Sequence, residues 1–304
     1  MTLQEPAHKR LSVTQRIRGV PEAHIKGIRQ PQGGYLPIEL FHSKELDDGG
    51  IEVLGPENIS PGIVGLAVDY LTRFQFTNNA EMSFPVARKG MEKLLELYEI
   101  DERKYFDELM NKIEGVDDTS IVAACRLAGF DSVFRAGRYS PVREILPDKT
   151  TISNIKRMVK RCEIFVHDKS ILDDDIVWGP TFQGGYTDTV SYGDADFCTA
   201  FFMCDIKTSE KPPGKNDTLQ VLMYLLLARH AANDFNGFRY LSILALFNAR
   251  TNIEYSLDLF EVDEKIQHEV EYDIIGYDSL CDSLEKDRVD YAKRLDILKN
   301  LGII

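Results

Sequence analysis

At 304 residues with 43% hydrophobic content, the chain can fill one large core or two of ordinary size, which excludes disorder over most of its length. Its longest apolar runs, "VLMYLLLA" from Val221 and "YLSILALF" from Tyr240, stop well short of the roughly 18–20 residues of a bilayer span, so no membrane partner is expected. A net charge of -13 counts against a general polyanion binder, although a local basic face can sit on an acidic protein.

The opening "MTLQEPAHKR" lacks the apolar region of a signal peptide, and a cytoplasmic location is expected. Cys125, Cys162, Cys198, Cys204 and Cys281 are odd in number and scattered, with no C-x-x-C pair. They read as reduced core thiols rather than a disulfide framework or a structural zinc site.

Over residues 1–59, stretches such as "QPQGGYLP" and "ELDDGG" break any periodic pattern, which predicts an N-terminal arm with one short strand at "YLPIELF". The arm carries Lys9, Arg10, Arg16 and Arg18. From Pro61 the pattern is helical, with Pro suited to a first turn and Ile63, Leu66, Ala67 and Tyr70 on one face. Further helices are predicted at "AEMSFPVARKGMEKLLELY", "DERKYFDELMNKIE", "TSIVAACRLAGF" and "TISNIKRMVKRCEIF". The last carries Lys156, Arg157, Lys160 and Arg161, read as an exposed basic face with DNA contact as the alternative.

Strand character begins at "VWGPTFQGGYTDTVSYGDADF" and continues to about Thr208. A helix follows from Asp217 to about Ala232, then two strands in "FRYLSILALFNARTNIEYSLDLF" and a charged helical tail. The order predicts an α/β (α+β) fold with a large helical addition.

The chemistry concentrates in "GDADFCTAFFMCDIKTS". An ionised carboxylate inside an apolar strand costs several kcal/mol unless something pairs with it, and a metal ion is one such partner. Strand geometry puts Asp205 and Lys207 side by side, with Ile206 buried behind them. Asp205, the Ile206 carbonyl and a second carboxylate form a hard-oxygen set of the kind Mg²⁺ or Mn²⁺ prefers. Lys207 would then orient a water there, lower its pKa or stabilise charge on a phosphoryl oxygen. Asp196 is the natural second carboxylate. On one unbroken strand it would lie roughly 30 Å away, so a reversal near Thr199 to Phe201 is required. Helix "DTLQVLMYLLLARH" places Gln220 and Tyr224 one turn apart on one face.

The series "GDADF", "DIK" and "QVLMY" resembles the G-x-x-D, (D/E)-x-K and Q-x-x-x-Y motifs of the PD-(D/E)XK nuclease superfamily, most closely its RecB-like branch, which includes lambda exonuclease. The resemblance implies a mixed central sheet flanked by helices, Mg²⁺ or Mn²⁺ as cofactor and phosphodiester hydrolysis of DNA, in repair, recombination or defence against foreign DNA. It makes Asp196 and Asp205 metal ligands, Lys207 the catalytic lysine, and Gln220 and Tyr224 an accessory pair. Within a nuclease-like domain at residues 60–304 it implies a helical insertion at 80–165, which would shape the substrate channel or bind a protein partner, and a catalytic core at 166–260. The branch's helical G-x-x-x-H is matched by Gly65 and Asp69, an acid in place of histidine, which adds Asp69 to the metal candidates. The cysteine trio of iron–sulfur relatives is missing, and no cluster is expected.

Structural roles compete with each assignment. Asp217 as N-cap with Gln220 three residues on would be a capping box. Tyr224 would pack in the core with its hydroxyl at the edge, and Asp69 would pair with Arg73 one turn later. The rival for the whole chain is a catalytically inactive binding module or scaffold of the same fold within a larger complex.

Overall fold

The computed structural model describes residues 10–279 apart from 51, 54, 138, 140, 171–175 and 232–235, together with 296, 299 and 300. Lys9, Cys281 and the 280–295 stretch of the expected helical tail lie outside the described residues.

A mixed six-stranded sheet is covered by helices on both faces. Its strands are β4 (His42–Glu45), β5 (Val177–Trp178), β7 (Phe197–Cys198), β8 (Phe202–Lys207), β9 (Ile243–Asn248) and β10 (Ile253–Asp258), in the spatial order β4-β10-β9-β8-β7-β5. Within this sheet, among the described residues, β8 and β9 are the one parallel pair, and the connection between them carries helix α8 (Lys215–His230). Such a pair requires a crossover, and a helix supplies it. Alternation along the strands sorts two cores. Phe202, Cys204, Ile243, Ala245 and Phe247 face the helical layer, while Met203, Leu244 and Leu246 face α8.

The helical layer comprises α2 (Pro61–Thr77), α3 (Ala80–Ser83), α4 (Pro85–Tyr98), α5 (Arg103–Met110), α6 (Asp118–Ala136) and α7 (Lys149–Lys169). The single helix expected over "AEMSFPVARKGMEKLLELY" is two, α3 and α4. Pro85 lacks the N–H that would continue the first ladder and opens the second helix instead. The backbones of α4 and α6 meet at Gly90, where a Cβ would stand 1.9 Å from Phe130 O.

The N-terminal segment expected as an arm is built into this frame. Helix α1 (Val13–Arg18) buries Val13 and Ile17 in the α8-side core, and β4 is the sheet's edge beside β10. The strand expected at "YLPIELF" is a 3-10 turn at Ile38–Leu40, with the strand displaced to β4. Pro37, which has no N–H to give a ladder, precedes that turn. Short strands β1 (Leu11–Ser12) and β6 (Val190–Tyr192) pair with each other, as do β2 (Gly19–Val20) and β3 (Ile25–Lys26). Helix α9 (Glu264–Glu269) follows β10. Cys125, Cys162, Cys198 and Cys204 are buried and unbridged. Among the described residues no helix is long and apolar enough to cross a membrane.

Candidate active site

The reversal needed between Asp196 and Asp205 is a tight antiparallel hairpin of β7 and β8, pairing Phe197 with Cys204 and Cys198 with Met203. Thr199 closes it, its N–H donating to Phe202 O at 3.0 Å while its hydroxyl accepts from Phe202 N at 3.4 Å. A threonine hydroxyl can brace a turn in the manner of the more familiar Asn and Asp. Extending the register by one residue puts Asp196 opposite Asp205. The Asp196 carboxylate then takes over the ladder, its Oδ2 accepting from Ile206 N at 2.6 Å.

Lys207 Nζ stands 2.6 Å from Asp205 Oδ2 and 3.4 Å from Asp217 Oδ1, and donates to Gln220 Oε1 at 3.1 Å. Gln220 Nε2 in turn donates to the Tyr224 hydroxyl at 2.8 Å and to Thr14 Oγ1 at 3.3 Å. Four of the expected residues, Asp205, Lys207, Gln220 and Tyr224, therefore form one chain of contacts. The expected capping box is shifted. Gly214 is the N-cap of α8, and Asp217 at the third helical position accepts from Gly214 N at 2.8 Å. Gln220 is thereby freed from the helix end to hold Lys207.

Asp69 meets Arg73 as the i, i+4 spacing predicts, but in a buried setting. Arg73 Nε donates to Asp69 Oδ1 and a terminal nitrogen reaches Asp69 Oδ2, both at 2.9 Å. The same terminal nitrogen lies 3.9 Å from Asp196 Oδ1, so the guanidinium bridges the two acids. Gly179 leaves room for it, since a Cβ there would sit 2.7 Å from Arg73. Gly65 brings α2 against the end of β8, a Cβ there lying 3.2 Å from Thr208 Oγ1. Sequence reasoning missed Arg73 as a member of the site. It also missed Thr14 and Asp217; the only signal for any of them was the acid–base spacing on α2.

Burial dominates the electrostatics. It pushes Asp205 up to about 7, against the opposing charge of Lys207. Asp196 is likewise raised to about 7 by burial and by the charge of Asp69, while Arg73 opposes. Desolvation raises Asp69 as well. For Lys207 burial works downward, but the carboxylates of Asp205 and Asp217 outweigh it and hold the ammonium above the ordinary lysine range. Lys207 is a fixed cation at neutral pH.

The donor set was expected to hold a divalent ion. Asp205 Oδ2 is buried, and the Lys207 ammonium at 2.6 Å is the close partner found for it among the described residues. A buried carboxylate oxygen with no backbone donor on it, opposite a second carboxylate, fits a hard cation. Among the described residues no group of three or more His, Cys, Asp or Glu side chains is arranged to hold a metal, and the candidate donors here are the Asp196 and Asp205 carboxylates and the Ile206 carbonyl. Asp69 is turned to Arg73.

A cleft of about 790 Å³ opens beside the site. It reaches Arg73 and Tyr224, the partners of Asp196 and Gln220, and stops short of Asp205, which is 6% exposed.

The basic stretches are largely committed elsewhere. Lys156 pairs with Asp118 at 2.6 Å and Lys160 with Glu163 at 2.9 Å, while Arg157 bonds the Glu52 carbonyl. Arg161, expected on an exposed face, is buried. It pairs with Asp48 at 2.5 Å and donates to the Ala249 and Arg250 carbonyls. In the N-terminal segment Arg16 caps the Asp273 and Ile274 carbonyls.

Comparison of the chain with protein-family models, curated proteins and solved structures gave no match in any of the three.

Proposed function

We propose that the protein is a divalent-metal-dependent nuclease of the PD-(D/E)XK type, hydrolysing phosphodiester bonds in DNA. The observation that carries this reading is the convergence of Asp196, Asp205, Lys207, Gln220 and Tyr224, drawn from the residue before β7, from β8 and from α8, on one point beside a cleft. Asp196, Asp205 and the Ile206 carbonyl would hold Mg²⁺ or Mn²⁺, and when bound it supplies Lewis-acid charge stabilisation and an activated water.

The chain's own groups define the remaining roles. Water oxygen bonds to phosphorus as the ester P–O bond breaks, and the leaving oxygen takes up a proton. Lys207, held charged, stabilises negative charge growing on a phosphoryl oxygen and does not serve as a base. Gln220 fixes the ammonium, and Tyr224 with Thr14 fixes the Gln220 amide, so that both are positioning residues. Arg73 keeps the carboxylates of Asp69 and Asp196 compensated at the edge of the cleft.

A non-catalytic module of the same fold is the second reading, favoured by the resident cations Lys207 and Arg73 on the carboxylates. One experiment separates them. End-labelled DNA is incubated with the protein and Mg²⁺ or Mn²⁺, beside an EDTA control and Lys207→Ala. Cleavage that needs both metal and Lys207 is expected. Full activity in Lys207→Ala, or none in the wild type with either ion, overturns the nuclease reading.

A further inference from the structure

We propose that the cleft beside the site seats a single strand of nucleic acid, with bases stacked on Phe134 and Tyr192 and phosphates paired with Lys89 and Lys93. The proposal rests on the nuclease reading for what happens at the cleft's end, and on the cleft's own chemistry for what enters it.

Helices α4 and α6 give the cleft Lys89, Lys93 and Phe134, while β6 and α1 give it Tyr192 and Gln15. Phe134 is 39% exposed and Tyr192 45%, although aromatic rings are among the most rewarding groups to bury. Two such rings opening into one cleft offer faces for flat apolar partners. The Lys89 and Lys93 ammonium groups lie 5.7 and 5.6 Å from the centre of the Phe134 ring. The ammonium groups lie over the ring, which brings an aromatic face and positive charge together, the two elements of a single-strand site.

The charge is local. Neither Lys89 nor Lys93 makes an ion pair with a carboxylate among the described residues; Lys93 instead donates to the Phe134 carbonyl at 3.2 Å. The cleft's arginines are compensated, Arg73 by Asp69 and Arg135 by Asp131 at 2.7 Å and Asp194 at 3.6 Å. On a chain of net charge -13, the two lysines leave this rim positive and so define where a polyanion can settle. Strandedness follows from the rings. A duplex keeps its base faces stacked internally, whereas a single strand presents them to aromatic side chains. At about 790 Å³ the cleft has the capacity of an ordinary ligand pocket rather than of a duplex channel.

The test is fluorescence anisotropy in EDTA, where binding is read without hydrolysis, using labelled oligo(dT), oligo(U) and blunt duplex of about 12 nucleotides, within the span single-strand sites cover. Oligo(dT) or oligo(U) should bind more tightly than duplex, and the tighter of the two identifies the sugar. Phe134→Ala should weaken single-strand binding roughly 5- to 150-fold, the range for losing one stacked base, and Phe134→Tyr should restore it. Lys89→Ala with Lys93→Ala should flatten the slope of log affinity against log salt by about 1.4, the share of two phosphate contacts on a single strand. Duplex binding as tight as single-strand binding, or variants indistinguishable from wild type, would overturn the proposal. Single-strand binding in EDTA without cleavage in Mg²⁺ or Mn²⁺ would overturn the nuclease reading and leave the cleft assignment standing.

Discussion

Replacing Asp205 by Asn isolates what its buried carboxyl does to stability. Burial carries this group from 3.8 to about 7 in the folded protein, so between those values the folded state holds a proton that the unfolded chain has released. Stability then falls as pH rises, by about 1.36 kcal/mol per unit, and levels off above pH 7. Three units amount to about 4 kcal/mol in all, of which about 2 kcal/mol falls between pH 5 and 7. Asn has no proton to lose, and the neighbouring Asp196 keeps its own dependence. Urea unfolding in EDTA at about pH 5, 6, 7 and 8 measures both proteins, and the variant should gain about 2–3 kcal/mol on the wild type across that range. Mg²⁺ should stabilise the wild type increasingly with pH, because it competes with the proton for the same carboxylate. Parallel pH profiles for the two proteins would refute the burial argument.

Two further expectations concern the frame around the site. Arg161→Ala takes the guanidinium away from the buried Asp48 carboxylate and from two turn carbonyls, and should cost about 3–5 kcal/mol in urea unfolding; a loss below about 1 kcal/mol would place this pair with surface ion pairs. Gly90→Ala drives a methyl into the Phe130 carbonyl and should cost about 1–3 kcal/mol or more by overpacking, seen as a lower melting temperature by circular dichroism; an unchanged melting temperature would mean that α4 can slide on α6 without penalty.

Much of this site was legible because its chemistry is local. The two-residue spacing of Asp205 and Lys207 and the four-residue spacing of Gln220 and Tyr224 fix shared faces once strand and helix are assigned. The alternation of Phe202, Cys204 and Ile206 against Met203 and Asp205 carried the burial pattern of β8. What stayed hidden depends on non-local geometry. The hairpin before β8 turns on a Thr199 hydroxyl rather than on Gly, Asn or Pro, so no residue type announced it. The cap of α8 moved because Gly214 supplies an N–H that Asp217 can reach, leaving Gln220 free. Arg73 joins Asp69 to Asp196 only because Gly179 makes space for it from another part of the chain, and the basic face of α7 is partly buried because Asp48 folds over Arg161. The strand expected before Phe41 failed at Pro37, a residue that was itself in view.

The contact between Thr14 and Gln220 joins positions 206 apart in sequence. During synthesis at roughly 5–20 residues per second, the first helix therefore waits about 10–40 s for the amide it will hold. The edge strand β4 waits still longer for β10. A nascent chain that already carries Asp196 and Asp205 has neither the amide that steadies Lys207 nor the helix that backs it. The site is thus completed late and all at once, and a truncated product ending before α8 would leave the ribosome with its acids in hand and its site unmade.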